Sequence, residues 1–341
     1  MRVLLTGAGG FLGRHLARSL LAEGIDSLTV HFRHCAPADF VAGLKQSFPE
    51  ARIEVVLGNL LYAHDAAQLV ADVDCIVHAA AGMRGGPADM FANTVVGTRN
   101  LLDAAAVAGV QRVVLVSSFS VYQTAPLAAN ALHDERVAVE PVGIDKGPYA
   151  YAKTRQEHLL EEYRQRCGFQ TVVLRPGVIY GPGGGALSSR IGIRALGLFF
   201  SLGRHATLPL AYVENCADAI ARATVSGVDG HAYNVVDDDL PSCTEYLRSY
   251  RSAVERLRVL PVPYWLFMLG AKLLVRYNRR SMGQLPAVFT PYVVRSMYRD
   301  FRYPNAALKC LGWQPRVTTD EGLQRTFDYF SQRTGQPRAQ A

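Results

Sequence analysis

A chain of 341 residues is long enough for one large or two modest domains around a substantial core. Apolar residues make up 49% and charged ones 19%, a balance that excludes wholesale disorder. The net charge of +7 comes without a Lys/Arg block interleaved with aromatics, so it points to solubility and anionic ligands and away from nucleic acid.

Val3-Leu4-Leu5 reads as a buried parallel strand and Thr6 to Gly10 as a turn too glycine-rich for regular structure. From Phe11 a helix opens, with Leu12, Leu16 and Leu20 at helical spacing. Strand, glycine turn and helix N-terminus together make an anion site. Free N–H groups and the positive helix end face whatever lies over the turn, and missing Cβ atoms let a pyrophosphate approach. Gly7, Gly10 and Gly13 give a GxxGxxG spacing; the commoner GxGxxG fails because Leu12 holds its third place. The turn therefore predicts dinucleotide binding over Gly7, Gly10, Phe11, Leu12 and Gly13.

Further strands are expected at Leu28–Phe32, Ile53–Leu57, Cys75–His78, Arg112–Ser117 and Thr171–Leu174. Helices are expected at Asp89–Ala108, stopped by Gly109, and at Tyr149–Cys167. This succession predicts an α/β fold, a doubly wound parallel sheet with helices on both faces. Pro182-Gly-Gly-Gly185 breaks the alternation, and a helix at about 215–226 and a strand at His231–Val236 return to the sheet. The expected division is a dinucleotide-binding Rossmann domain at 1–177 plus about 214–236 and a smaller, discontinuous substrate region at about 178–213 plus 237–330. The polar tail at 331–341 is expected to be loose.

Six cysteines, at 35, 75, 167, 216, 243 and 310, form no CxxC and no Cys/His cluster, which reads as reduced thiols in a cytoplasmic protein without a metal site. Histidines 31, 34, 64, 78 and 133 lack metal-ligand spacing and read as surface or packing residues. A first strand at residue 2 leaves no room for a signal peptide, and no apolar run reaches the roughly 20 residues needed to span a bilayer.

Several motifs occur in a fixed order: Thr6-Gly-Ala-Gly-Gly-Phe-Leu-Gly13, His78-Ala-Ala-Ala81, Asn93 with Gly97-Thr98, Ser117-Ser118 with Val121-Tyr122, Tyr149-x-x-x-Lys153, and Arg175-Pro-x-x-x-Tyr-Gly-Pro182. In these the chain resembles the extended short-chain dehydrogenase/reductases, also called NAD-dependent epimerase/dehydratases, over about residues 1–330. The resemblance implies cofactor contacts from Asn59, Leu60, Ala79, Ala80 and Pro176 as well as from the glycine turn, Tyr149 and Lys153. Asn59 stands where the family usually has Asp. Ser118 matches the family's catalytic serine, with Ser117 its neighbour. Asn93 resembles the helix asparagine near the active site, with capping or kinking of its helix as the alternative.

The chemistry also follows from the residues. Tyr149 and Lys153 are four apart and share a helix face, whereas Tyr151 lies two from Lys153 and points elsewhere. A phenol with a pKa near 10 is a poor base at neutral pH. Lowering it by about three units takes roughly 4 kcal/mol, within reach of Lys153 plus a cationic nicotinamide. Ser118 would orient the reacting oxygen while Tyr149 exchanges a proton with an alcohol or ketone.

The second strand ends His31-Phe32-Arg33-His34, without the carboxylate that usually binds the ribose hydroxyls of NAD. Arg33, with Arg14 in support, suits a 2′-phosphate, so NADP is favoured over NAD; a solvated Arg33 and dual use is the alternative. Nucleotide-sugar epimerases of the family carry an arginine that grips the substrate diphosphate, and alignment puts Leu208 in its place. Arg190, Arg194 and Arg204 lie in the same region. The sequence here, together with Tyr233-Asn-Val-Val-Asp-Asp238 and Val262–Leu269, resembles the 3β-hydroxysteroid dehydrogenase-like branch. Residues 262–275 form an apolar run broken by Lys272 and followed by Arg276, Arg279 and Arg280, which suits either a packed core helix or peripheral membrane contact through 262–280. The expected function is an NAD(P)-dependent oxidoreductase acting on a hydroxyl or ketone of a hydrophobic, sterol- or lipid-like small molecule. The alternatives are a nucleotide-sugar epimerase or dehydratase and a non-catalytic cofactor-sensing regulator, and a homodimer is left open.

Overall fold

Val3 and Leu5 bury their side chains on one face of the first strand and Leu4 on the other, so this strand has no solvent face and reads as a continuous apolar run. The computed structural model describes residues 1–83, 85–281 and 289–334. The strand, β1 (Arg2–Thr6), is followed by α1 (Phe11–Ala22), β2 (Ser27–Phe32), α2 (Ala38–Ser47), β3 (Arg52–Leu57), α3 (Ala63–Leu69) and β4 (Cys75–His78). Then come α4 (Pro87–Phe91), a π-helical turn at Ala92–Val96, α5 (Gly97–Ala108), β5 (Arg112–Val116), β6 (Ala131–Leu132), α6 (Pro148–Cys167) and β7 (Gln170–Pro176). Gly109, at φ +72°, ends α5 in the left-handed region that favours glycine.

After β8 (Val178–Tyr180), β9 (Gly192–Ala195), β10 (Leu198–Ser201) and β11 (Leu210–Tyr212), the chain returns through α7 (Val213–Val225) to β12 (His231–Val235). Seven parallel strands form the central sheet, in the order β12-β7-β5-β4-β1-β2-β3. One apolar layer joins β1 to α1 and α7 through residues such as Leu16, Leu20, Ala217 and Ile220. The other joins it to α3, α5 and α6 through Leu69, Leu101, Leu102 and Leu160. Strand order reverses between β1 and β4, which opens a crevice beyond their C-terminal ends, the place where such sheets take ligands.

The remaining elements are α8 (Cys243–Ala253), β13 (Val259–Pro261), α9 (Tyr264–Arg280), α10 (Pro291–Tyr298), β14 (Phe301–Arg302), α11 (Ala306–Lys309) and α12 (Thr319–Thr334). Strands β13-β10-β9 form a small separate sheet, and β8 pairs with β11. Asp237 clasps this region to the central sheet: it accepts from the Tyr212 amide at 2.7 Å and from Asn215 Nδ2 at 2.9 Å. Asn234 Oδ1 accepts from the Tyr122 hydroxyl at 2.6 Å, and Asp238 pairs with Lys309 at 2.7 Å. The Tyr233–Asp238 segment thus holds the fold together at its seam.

Three expectations require correction. The tail is not loose from residue 331, because α12 runs on to Thr334; residues 335–341 lie outside the described residues. The helix expected at Asp89–Ala108 contains a π turn. The 262–275 run is no packed core helix, for in α9 Ala271 alone is buried while Trp265, Leu266, Leu269 and Leu273 are exposed. Its Phe267 ring packs edge-on to Tyr298 of α10 and to Phe289. No helix among the described residues is long and apolar enough to cross a membrane.

Candidate active site

The glycine turn is closed so tightly that side chains are sterically excluded. Gly7 has φ +77°, and a Cβ on it would lie 2.8 Å from the Ala80 amide nitrogen. A Cβ on Gly13 would meet the Gly7 carbonyl oxygen at 2.1 Å. Ala79 and Ala80, just past β4, therefore stand directly beside the turn, and Gly10 caps α1 with the first-turn amides of Phe11 and Leu12 free of intrahelical acceptors. A bare cradle of amides at a helix N-terminus fits a dinucleotide pyrophosphate. The Leu12 side chain packs into the core. The Phe11 ring instead meets the 181–184 loop, where a Cβ on Gly184 would come within 2.7 Å of it. Pro176 ends β7, in register with Val235.

Other expected cofactor contacts are spread along the crevice. Arg33 Nη2 donates to Asn93 Oδ1 at 2.7 Å, and Asn93 Nδ2 donates to the Asp89 carbonyl at 2.8 Å. Asn93 thus braces the π turn, and its described bonds go to neither Ser118 nor Tyr149. Asn59 Oδ1 accepts from the Leu61 amide at 3.2 Å, Leu60 is buried, and the Leu60 carbonyl accepts from Asn100. Arg14 rests 5.9 Å over the Phe40 ring.

Ser118, two residues past β5, accepts the Ser120 amide on its hydroxyl at 3.2 Å and stands beside the Tyr149 phenol in the first turn of α6. Burial pushes the phenol above its ordinary value, and the neighbouring Ser118 hydroxyl opposes that. Ser117 buries a hydroxyl that finds no partner among the described residues. Tyr151 stacks on Phe91, ring centroids 5.9 Å apart, away from Ser118.

Lys153 is buried, and burial draws its ammonium down to about 7 against the pull of the Glu157 carboxylate. It donates to the Val116 carbonyl and to Gln156 Oε1, each at 2.7 Å, which leaves one of its three protons for Tyr149 or a ribose hydroxyl. Behind Gln156 runs a buried polar chain. Gln156 Nε2 donates to Thr98 Oγ1 at 2.8 Å, while that hydroxyl donates to the Thr94 carbonyl. The 2.8 Å contact between His78 Nε2 and Thr98 Oγ1 then requires the imidazole proton on Nε2. Nδ1 accepts from Thr6 Oγ1 at 2.7 Å, and Thr6 in turn accepts from the Ala80 amide. The chain thus joins Lys153 to the edge of the glycine turn. It settles what the sequence left as a packing histidine.

Ser118 and Tyr149 open into a cavity of about 230 Å3 whose apolar wall includes Phe119, Val178, Pro209, Val293 and Met297. Leu208 is not part of it. The side chain is buried with Tyr180, Ile191 and Phe199, and its neighbour Pro209 faces the cavity instead. Arg194 pairs with Glu255 at 2.8 Å and Arg204 is exposed, but Arg190 lines the cavity. So do His133 and Ser296, which carried no spacing signal because they come from irregular chain and a short helix. Among the described residues no three His, Cys, Asp or Glu side chains gather as metal ligands.

The NAD dependent epimerase/dehydratase family model matches residues 3–235. The chain is 27% identical to human sterol-4-alpha-carboxylate 3-dehydrogenase, decarboxylating, an alignment covering 96% of this chain and 88% of the relative. It is 28% identical to the 2-alkyl-3-oxoalkanoate reductase of Stenotrophomonas maltophilia, over 95% and 98% of the two chains. Mouse dTDP-D-glucose 4,6-dehydratase is 24% identical over 96% and 88%. Among solved structures, the Thermus thermophilus UDP-glucose 4-epimerase complex with NAD superposes with a TM-score of 0.70 at 22% identity, covering 97% and 99% of the two chains.

Proposed function

The chain belongs to the NAD dependent epimerase/dehydratase family and is an NAD-dependent enzyme of oxidoreductase type, and from that premise we propose that it interconverts a hydroxyl and a ketone on a hydrophobic, sterol- or lipid-like molecule. The observation that carries this reading is the Ser118–Tyr149 pair opening into a cavity walled by Phe119, Val178, Val293 and Met297. A bound nicotinamide supplies or accepts the hydride. Ser118 holds the substrate oxygen, Tyr149 gives or takes its proton, and the free Lys153 proton biases the phenol toward phenolate. Arg33 favours NADP through a charge-assisted bond to the 2′-phosphate. The glycine cradle, Asn59, Leu60, Ala79, Ala80 and Pro176 line the path of the dinucleotide. Asn93 acts through Arg33 and the π turn rather than on the substrate.

The sterol and oxoalkanoate relatives support an apolar substrate, whereas the dTDP-glucose dehydratase favours a second reading on nucleotide sugars. Leu208 no longer weighs against that reading, because it does not face the cavity. Incubating the protein with NADPH or NADH and long-chain 3-ketones, beside UDP-glucose and dTDP-glucose, separates the two. Net cofactor oxidation with ketones alone is expected, and it should fall at least about a hundredfold in Tyr149→Phe. Epimerisation of UDP-glucose without net cofactor turnover would hand the function to the second reading.

Helix α9 supports a peripheral membrane site for this chemistry in a cytoplasmic setting. It exposes Trp265, Leu269 and Leu273 together with Lys272, Arg276, Arg279 and Arg280, an apolar face edged by cations.

A further inference from the structure

Resting on the oxidoreductase reading above, we propose that His78 is a positioning residue that couples the glycine turn to the Lys153 ammonium. One imidazole then sets both the grip on the dinucleotide and the placement of the cation that serves Tyr149, although it does not line the substrate cavity. The direction of every proton between the two ends follows from the charged one. An ammonium only donates, so Gln156 must turn Oε1 to Lys153, at 2.7 Å, and its Nε2 must find an acceptor, which is Thr98 Oγ1 at 2.8 Å. The Thr98 proton is committed to the Thr94 carbonyl of the π turn, so that oxygen has one lone pair left for a further donor. His78 Nε2, 2.8 Å away, fills it, and Nδ1 is thereby made an acceptor. Thr6 must then donate to Nδ1, at 2.7 Å, and offer its own lone pair to the Ala80 amide at 3.3 Å. A single arrangement of protons satisfies all of these groups.

Thr6, His78, Thr98, Gln156 and Lys153 are each at most 3% exposed, so bulk water does not replace a lost link. Burial keeps the imidazole neutral, drawing it down to about 3, and the Lys153 charge acts in the same direction. The far end of the chain bears on the cradle. The ladder between β1 and β4 closes at Thr6 opposite His78, and the Thr6 hydroxyl extends it by one more bond. That bond holds Ala80 against Gly7, where a Cβ would lie 2.8 Å from the Ala80 nitrogen. Without an acceptor at Nδ1 the Thr6 proton is stranded and Ala80 is no longer fixed against the turn. Without a donor at Nε2 a lone pair of Thr98 is left dry, and the oxygen that holds Gln156 on Lys153 loses its anchor. Each ring nitrogen thus serves one end, whereas a space-filling side chain would need neither.

His78→Gln and His78→Asn separate the two ends, because the glutamine amide nitrogen takes the place of Nε2 and the asparagine carbonyl that of Nδ1. His78→Gln keeps the donor to Thr98 and strands Thr6. Its affinity for NADPH, by fluorescence titration, should fall about tenfold, with kcat on a long-chain 3-ketone at saturating cofactor within about twofold of wild type. His78→Asn keeps the acceptor for Thr6 and strands Thr98. Its kcat should fall at least about fivefold with cofactor Kd within about twofold. The isosteric Thr6→Val and Thr98→Val should reproduce the first and second patterns, and they serve if the histidine variants do not fold. Parallel losses of affinity and kcat in His78→Gln and His78→Asn, or wild-type values in both, would overturn the coupling and leave His78 a packing residue. If wild type reduces no ketone, the oxidoreductase reading fails and cofactor affinity decides alone. A loss confined to His78→Gln then keeps the proposal, and equal affinity in the two variants overturns it.

Discussion

Arg33 and Asn93, sixty residues apart, are joined by a 2.7 Å hydrogen bond from Nη2 to Oδ1 that ties the end of β2 to the π turn before α5. The end of β2 and the helical segment that follows β4 are thereby linked by a side chain that also has donors left for a ligand. Arg33→Ala should weaken NADPH binding by about 1.5–3 kcal/mol, the range for a hydrogen bond to a charged group, with NADH little changed. Equal losses for the two cofactors in a fluorescence titration would show that Arg33 does not read the phosphate and serves Asn93 alone.

Gln156 does not line the cavity, yet it holds the Lys153 ammonium that is proposed to polarise Tyr149. Gln156→Leu removes one acceptor from Lys153 and one donor from Thr98. Turnover should drop by about ten- to a hundredfold, the equivalent of roughly 1.5–3 kcal/mol, while substrate KM stays near wild type. Gln156→Glu, which keeps an acceptor for Lys153, should recover part of the loss. A wild-type kcat in the leucine variant would mean that Val116 alone positions Lys153.

Acid sensitivity should appear well above the range of ordinary carboxylates. Burial draws His78 and His133 down to about 3 from 6.5, and His15 and His31 move in the same direction for the same reason. Between about 3 and 6.5 the unfolded chain binds protons that the folded one refuses, so stability is full above 6.5 and declines as pH falls through that window. Asp237 works the other way: burial raises its carboxyl from 3.8 to about 6, so the folded state takes up that one proton first. Four imidazoles against one carboxyl set the sign. Urea midpoints measured from pH 7.5 to 4.5 should decrease steadily, and less steeply in His78→Gln and His133→Phe. A flat profile across that interval would contradict the buried neutral imidazoles.

Trp265 is 68% exposed on α9, whereas Trp313 is 3% exposed, so a change in tryptophan emission on adding vesicles reports the helix. Vesicles of phosphatidylcholine with about a third phosphatidylserine should shift emission to the blue and sediment the protein, and phosphatidylcholine alone should do so weakly. Trp265→Ser with Leu269→Ser should abolish sedimentation and leave turnover of a water-soluble ketone intact. No binding to anionic vesicles would remove the membrane reading.

Much of this site is written in local sequence. Val3–Leu5 and Cys75–His78 announce their strands because both faces are buried, and Gly109 announces the end of α5 through its left-handed turn. Tyr149 wins over Tyr151 by helix geometry alone. The π turn at Ala92–Val96 is different, since a run of small and branched residues looks alike at four- and five-residue spacing. Leu208 misled for a reason of period two: an extended chain that aims Pro209 at the cavity must aim Leu208 at the core. His133, Arg190 and Ser296 come together from separate segments, so no spacing in the chain foretells their meeting. In α9 the apolar run was visible, but that Trp265, Leu266, Leu269 and Leu273 stay exposed is a property of the assembled fold.

The glycine at position 184 and the ring of Phe11 also limit how the protein can be re-engineered. The loop after β8 rests on the ring that starts α1, with a clearance that admits no side chain. Replacing the loop after β8 with another would succeed only if the new loop brought glycine to that position or α1 gave up its phenylalanine. The loop and the start of α1 share a bearing surface, and they have to be exchanged as a matched pair.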